Sequence, residues 1–372
     1  MRIKNVIFLL ILLAPLVSFA QIPDQEWTIF RGRPELSGNT NTELPSNPSL
    51  LWNIRTNSRT KSSPVISNGM IYFGNDKGEV IAAGVDGKIK WQYQGGSAVE
   101  APPLVYGDNV IVGLNDGTLH AVNKTTGKAV WKYRTEGQIA GSANAWSTGK
   151  RSGIVIGSYD YYLHSVDPSN GLLQWKLETL NYVNGTPAVS NNNIIFGGCD
   201  GFIRVADAFT GREKDTIEIG TYIASSPALS GGRACFGDYD GNFFCLDLLS
   251  GKLAWEIPAG ETTMSFVAIP AIGRNTVVIG NEDKHLYCYD IITGRLNWKF
   301  RTNGRITGSA VITPTKVIFG SYDGNIYMLN LSDGKKIWSF NAGAPISSSP
   351  AVMQDRFYFL TEDGRLLSFG RK

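Results

Sequence analysis

An Asp recurs at one turn position along the chain, at Asp76, Asp116, Asp160, Asp200, Asp240, Asp283, Asp323 and Asp363. Asp238-Tyr-Asp-Gly241 resembles a fragment of a calcium loop, yet no copy continues to the bidentate acid that such a loop needs. Asx hydrogen bonding, which closes tight turns, accounts for all eight. His120 and His164 share one register, four residues after their turn Asp, and His285 does not, so the sequence gathers no metal or acid–base triad. Ser recurs in Ser62-Ser63-Pro64, Ser225-Ser226-Pro227 and Ser348-Ser349-Pro350, with no nucleophile elbow or partner base. No phosphate or dinucleotide loop is present. Of the four cysteines, Cys235 and Cys245 lie equidistant from the Asp240-Gly241 turn. They form either a cross-strand disulfide or two buried thiols, whereas Cys199 and Cys288 read as apolar fillers. One basic register remains. Arg55, Arg134 and Arg301 each follow a Trp by three residues, and Arg59, Lys61 and Arg305 lie on the same loops. Placed beside a channel mouth, this set would dock an acidic partner or an anionic ligand; the alternative is that each Arg pairs with a turn Asp of a neighbouring unit.

The elements that carry these residues follow from a second repeat. A turn Gly is followed four residues later by Trp at Gly87/Trp91, Gly127/Trp131, Gly171/Trp175, Gly251/Trp255, Gly294/Trp298 and Gly334/Trp338. Asp215 fills the Trp slot after Gly211, and Trp52 stands one period upstream without a preceding turn. A period of roughly 40 residues means stacked supersecondary units, none able to bury its own apolar surface. The unit from Ile223 to Gly260 reads as four short strands: Pro227 near the start of the first, Asp238-Tyr-Asp-Gly241 between the second and third, and Leu249-Ser-Gly251 before the fourth. Eight first-strand starts can be counted, and the last unit, from Ile346, has three strands only. Ser49 to Arg55 supplies the missing fourth. The expectation is an all-β, eight-bladed propeller closed by the N-terminal strand, since ring closure hides both sheet edges. Trp52, Trp91, Trp131, Trp175, Trp255, Trp298 and Trp338 are then interblade packing residues.

Asp247-Leu-Leu-Ser-Gly-Lys-Leu-Ala-Trp255 and Asn123-Lys-Thr-Thr-Gly-Lys-Ala-Val-Trp131 resemble the tryptophan-docking repeat of quinoprotein-type propellers. That family includes the pyrroloquinoline quinone (PQQ) alcohol dehydrogenases and the BamB-type subunit of the outer-membrane β-barrel assembly machinery. Trp27-Thr-Ile-Phe-Arg-Gly32 is similar to the opening of small secreted members. The resemblance implies either a non-catalytic scaffold for an envelope or outer-membrane protein, or a dehydrogenase-like binder of PQQ and Ca²⁺. The dehydrogenases hold the quinone against a disulfide of adjacent cysteines, and this chain has no adjacent pair. The scaffold is therefore the leading expectation, with no catalytic residue and no cofactor; the alternatives are the cofactor binder and a glycan or anionic-ligand binder at the mouth.

Arg2 and Lys4 precede an apolar run from Val6 to Val17, and Ser18-Phe19-Ala20 ends in small residues, the pattern of a secretory signal peptide cut near Ala20. No Cys follows for a lipid anchor. The expected organisation is 1–20 signal peptide, 21–48 N-terminal extension and 49–372 propeller, a monomer exported to the periplasm or beyond with no transmembrane segment in the mature chain. Without Arg2 and Lys4 the 35 bases become 33 against 32 acids, so no global charge favours nucleic acid.

Overall fold

The computed structural model describes residues 26–260 and 264–372; the expected signal peptide lies outside the described residues. Eight sheets of four antiparallel strands follow one another along the chain. In the fifth, the strands are Ala228–Ser230, Arg233–Gly237, Phe243–Asp247 and Lys252–Ile257. First strands of successive sheets lie side by side, so they line the axis and the fourth strands form the perimeter. The eighth sheet takes Ala351–Met353, Arg356–Thr361 and Arg365–Gly370 from the end of the chain, and Ser49–Arg55 pairs antiparallel with Arg365–Gly370 as its fourth strand. Its first strand lies beside Val65–Ser67, the first strand of the first sheet, which completes the ring.

The second and third strands are almost wholly buried, as in Arg233–Gly237 and Phe243–Asp247, because blades stack face to face on both sides of them. A β-bulge recurs where the fourth strand pairs with the third. Ala82 faces Trp91 but Ala83 faces Ile89, which leaves Lys90 as the extra residue. The same shift stands before Trp131, Trp175, Trp255, Trp298 and Trp338. Such a bulge bends the strand and re-aims the side chain beside it, here toward the next blade.

Residues 26–44 close one end of the ring. Their backbone or carbonyls bond to Ile66, Val105, Asn144, Val189, Leu229, Ile272 and Ile312, in the first strands of seven successive sheets. At the centre of this plug Arg31 is 1% exposed and donates from Nη2 to the Pro270 carbonyl at 3.2 Å. Burial pushes its guanidinium down to about 9. Gly38 packs flat on that guanidinium, and Gly32 on the ring of Trp27; both have positive φ, so neither position accommodates a Cβ. The Trp-x-x-x-Arg-Gly opening is thus the hub of the plug.

Candidate functional site

The repeated residues are consumed by the ring. The Trp rings dock on the turn Gly of the next blade, not on their own. A Cβ at Gly87, Gly127, Gly171, Gly211, Gly294 or Gly334 would meet the ring of Trp52, Trp91, Trp131, Trp175, Trp255 or Trp298 at 3.0 Å or less. The same six indoles donate to carbonyls just before those glycines, for example Trp131 Nε1 to Pro168 O at 3.0 Å and Trp298 Nε1 to Leu331 O at 2.9 Å. Trp338 meets a blade whose fourth strand has no turn, and packs on Phe340, Phe357 and Phe369 instead. Asp215 leaves the turn at Gly251 without an indole cover.

The serines have an equally structural use. Ser142 N donates to Thr186 Oγ1, Thr186 N to Ser226 Oγ, Ile269 N to Ser309 Oγ, Ser309 N to Ser349 Oγ, and Ser349 N to Ser63 Oγ, all within 2.7–3.0 Å. This is a hydroxyl ring running from blade to blade around the axis, broken where the register holds Ala101 or Ile269. It walls a channel of ≈ 280 Å³ whose floor includes Phe30 of the plug.

Five of the eight turn aspartates, Asp116, Asp160, Asp200, Asp283 and Asp323, close their own turns, as in Asp116 Oδ1 accepting from Thr118 N at 3.0 Å and Asp323 Oδ1 from Asn325 N at 3.0 Å, whereas Asn75 takes the place of Asp76 and Asp363 binds the side chains of Thr361 and Arg365. Their second oxygens reach the preceding blade: Asp160 accepts from Glu136 N, Asp200 from Leu180 N and Asp323 from Asn303 N. In the fifth blade Asp238, two residues earlier than Asp240, does this work and binds Asn242 N at 2.7 Å. His120 and His164 accept or donate at Nδ1 with Tyr93 and Tyr133 of the preceding blades at 3.0 and 2.9 Å. Burial, then the Lys132 charge, pushes His120 down to about 4. Among the described residues no three His, Cys, Asp or Glu converge to hold a metal. Cys235 and Cys245 are direct cross-strand partners, buried, with Sγ atoms 3.2 Å apart as thiols.

The six basic residues separate into two groups. Arg55, Arg134 and Arg301 pair with Arg365, Thr118 and His285 across the outermost strand pairs, so they stand at the perimeter and not at the mouth. The reason is strand length: three residues beyond Trp the chain is still in the fourth strand. Arg59, Lys61 and Arg305 lie nearer the axis and are neutralised by Glu362 at 3.4 Å, Glu100 at 3.3 Å and Glu282 at 3.5 Å. Arg305 also covers the Tyr322 ring at 4.1 Å. The partners are glutamates beside the turns and in the next loop rather than the turn aspartates.

The opposite half of the mouth is aromatic, and the sequence reading passed over it. Tyr159 stacks on Tyr182 at 4.6 Å, and Tyr161 lies 5.4 Å from the same ring. In the neighbouring turns Tyr239 N bonds to Tyr222 O, and Ser265 Oγ to Tyr239 O. Burial first, then neighbours that include Tyr239 and Tyr182, raises the Tyr159 hydroxyl above its usual range. Leu180 is 75% exposed and Tyr222 58%, with Tyr161, Tyr182, Tyr239 and Met264 also exposed. A signal existed in the repeat. Seven residues beyond the Trp slot the chain reads Arg59, Tyr182, Tyr222 and Arg305 in four blades, and this register, not the third, faces the mouth.

A family model described as outer membrane protein assembly factor BamB matches residues 45–257 and 200–372. The chain belongs to this family. BamB from Nitrosomonas eutropha is 33% identical over 85 residues, which is 23% of this chain and 21% of that relative, so the alignment spans about a fifth of its length. The crystal structure of BamB from Moraxella catarrhalis superposes with a TM-score of 0.73 at 19% identity, covering 88% of this chain and 98% of that one. The quinohemoprotein alcohol dehydrogenase of Comamonas testosteroni gives 0.80 at 13% identity, covering 93% and 80%. At these identities the likeness is one of fold. The residues present do not fit a quinone site of the kind the resemblance implied: no two cysteines are adjacent, Cys235 and Cys245 are buried within one blade, and the channel hydroxyls are committed to interblade bonds.

Proposed function

We propose that this protein is a non-catalytic scaffold of the cell envelope that binds a protein of outer-membrane assembly through the aromatic half of its channel mouth. The observation that carries the reading is the exposed set Tyr161, Leu180, Tyr182, Tyr222, Tyr239 and Met264, spread over neighbouring turns on one face. Contiguous exposed apolar surface of this kind is costly in water and marks an interaction site. Rigid aromatic side chains give large contact area at small entropic cost. The paired charges Arg59–Glu362 and Arg305–Glu282 form a polar rim opposite, suited to a partner of mixed charge rather than to an anion. Membership of the BamB family supports the choice of partner class. No catalytic residue or cofactor is assigned.

The test is site-specific photocrosslinking in envelope preparations. A crosslinker at Leu180 or Tyr222 yields a discrete adduct with an outer-membrane assembly protein, while one at Glu213 on the perimeter yields none. Equal adducts from all three positions, or none from the aromatic half, refute the assignment. A separate titration with PQQ and Ca²⁺ gives no saturable shift in melting temperature; a saturable shift restores the cofactor reading.

A further inference from the structure

The face opposite the mouth, where the plug lies, also carries the turns between third and fourth strands. Two residues before the turn Gly these turns hold Thr125, Ser169 and Ser332 in three blades. In three consecutive blades the same position holds Phe209, Leu249 and Ile292, which are 44%, 97% and 59% exposed. Leu249 is the extreme case, and its turn is the one that Asp215 leaves without an indole cover. Immediately after the turn Gly each of the three blades adds an exposed base: Arg212, Lys252 and Arg295. Among the described residues none of these three forms an ion pair. The neighbouring carboxylates are engaged by their own turns, with Asp207, Asp247 and Asp290 accepting from the backbone N–H of Thr210, Ser250 and Thr293 at 2.8–2.9 Å, and Asp207 also pairs with Lys214 at 2.8 Å. Leu172, 66% exposed, and exposed Lys150 and Arg151 extend the arc by one blade.

We propose that this rim docks on an anionic lipid surface, with Phe209, Leu249 and Ile292 inserted among the acyl chains and Arg212, Lys252 and Arg295 at the headgroups. Successive blades carry equivalent turns at equivalent height, so the three tips lie along one edge of the disc and meet a flat surface together. Exposed apolar tips set beside bases, Leu249 and Ile292 protruding and Phe209 edge-on to Trp146 with the Arg151 guanidinium 5.1 Å over its ring, match the boundary of a bilayer, where apolar insertion and attraction to anionic headgroups act at adjacent depths. A protein partner would instead find separated points with polar gaps between them, unlike the continuous aromatic set on the other face. The docking does not rest on the mouth-face function, but it would leave the mouth facing away from the membrane.

Cosedimentation of the full chain with phosphatidylcholine vesicles, with and without phosphatidylglycerol, decides the matter. The chain binds the anionic vesicles, more weakly as salt rises, and binds pure phosphatidylcholine poorly. The variant Phe209→Ser/Leu249→Ser/Ile292→Ser weakens binding by about tenfold or more in the same chain. The charge variant Arg212→Glu/Lys252→Glu/Arg295→Glu, which keeps the apolar tips, abolishes the preference for phosphatidylglycerol. Unchanged binding in the serine variant places the lipid contact elsewhere and overturns the proposal. So does equal binding to both vesicle types, or a charge variant that keeps the wild-type preference.

Discussion

Replacement of Gly171 by Ala separates two roles that this glycine performs at once. Its φ is +73°, and a Cβ would meet the Trp131 ring at 2.5 Å. Holding Ala in the left-handed region costs roughly 1–2 kcal/mol. Displacing a well-packed ring costs about 1–3 kcal/mol more. Loss of the bond from Trp131 Nε1 to Pro168 O, 3.0 Å in length, adds about 1 kcal/mol. Gly251 is an internal reference. Its φ is +66°, but a Cβ there meets only Asp215 Oδ2, at 2.9 Å, on a side chain that can swing aside. Gly251→Ala therefore carries the backbone cost alone, and the entropic effect of Ala on the unfolded chain is common to both. The expected difference is about 2–4 kcal/mol, read from urea unfolding midpoints with unchanged slope. In a Trp131→Ala background the cost of Gly171→Ala falls to that of Gly251→Ala. Equal costs for the two glycines in the wild-type chain, or a cost at Gly171 indifferent to Trp131, would refute Trp docking as the reason for the repeated glycine.

Two further outcomes follow from buried groups. Refolding in a glutathione redox buffer links Cys235 to Cys245, because their Sγ atoms are already in contact on paired strands, so that unfolding the product in denaturant without reductant exposes only Cys199 and Cys288 to alkylation; four alkylatable thiols in the denatured product contradict this. His120, held down to about 4 chiefly by burial, keeps the folded chain from binding a proton that the unfolded chain binds near 6.5. Stability is then full above that higher value and declines as pH falls toward 4, and His120→Gln flattens this part of the profile, measured by melting temperature against pH. A slope that survives the substitution assigns the effect to other groups.

The sequence by itself determined the ring. The spacing of Gly and Trp, the recurring Asp turns and the three-stranded last unit specify eight four-stranded sheets, because each device is local and repeats with the chain. It also showed that Trp52 has no turn of its own, and Trp52 lies on the strand that completes the eighth sheet. The tertiary structure alone decided what the repeats touch. Trp131 belongs to Gly171 and not to Gly127, and Ser349 to Ser63 across the closure, because these contacts join neighbouring blades. The plug was equally hidden: residues 26–44 have no repeat signature, and their order arises from backbone bonds to seven separate sheets. Which residues line the mouth was hidden for the same reason. Arg55, Arg134 and Arg301 share a register in sequence, yet a strand that ends at the perimeter keeps them from the axis, while Tyr182 and Tyr222, four residues farther along, reach the mouth. A linear period fixes which residues are equivalent. Only the radial order of the strands fixes which of them meet.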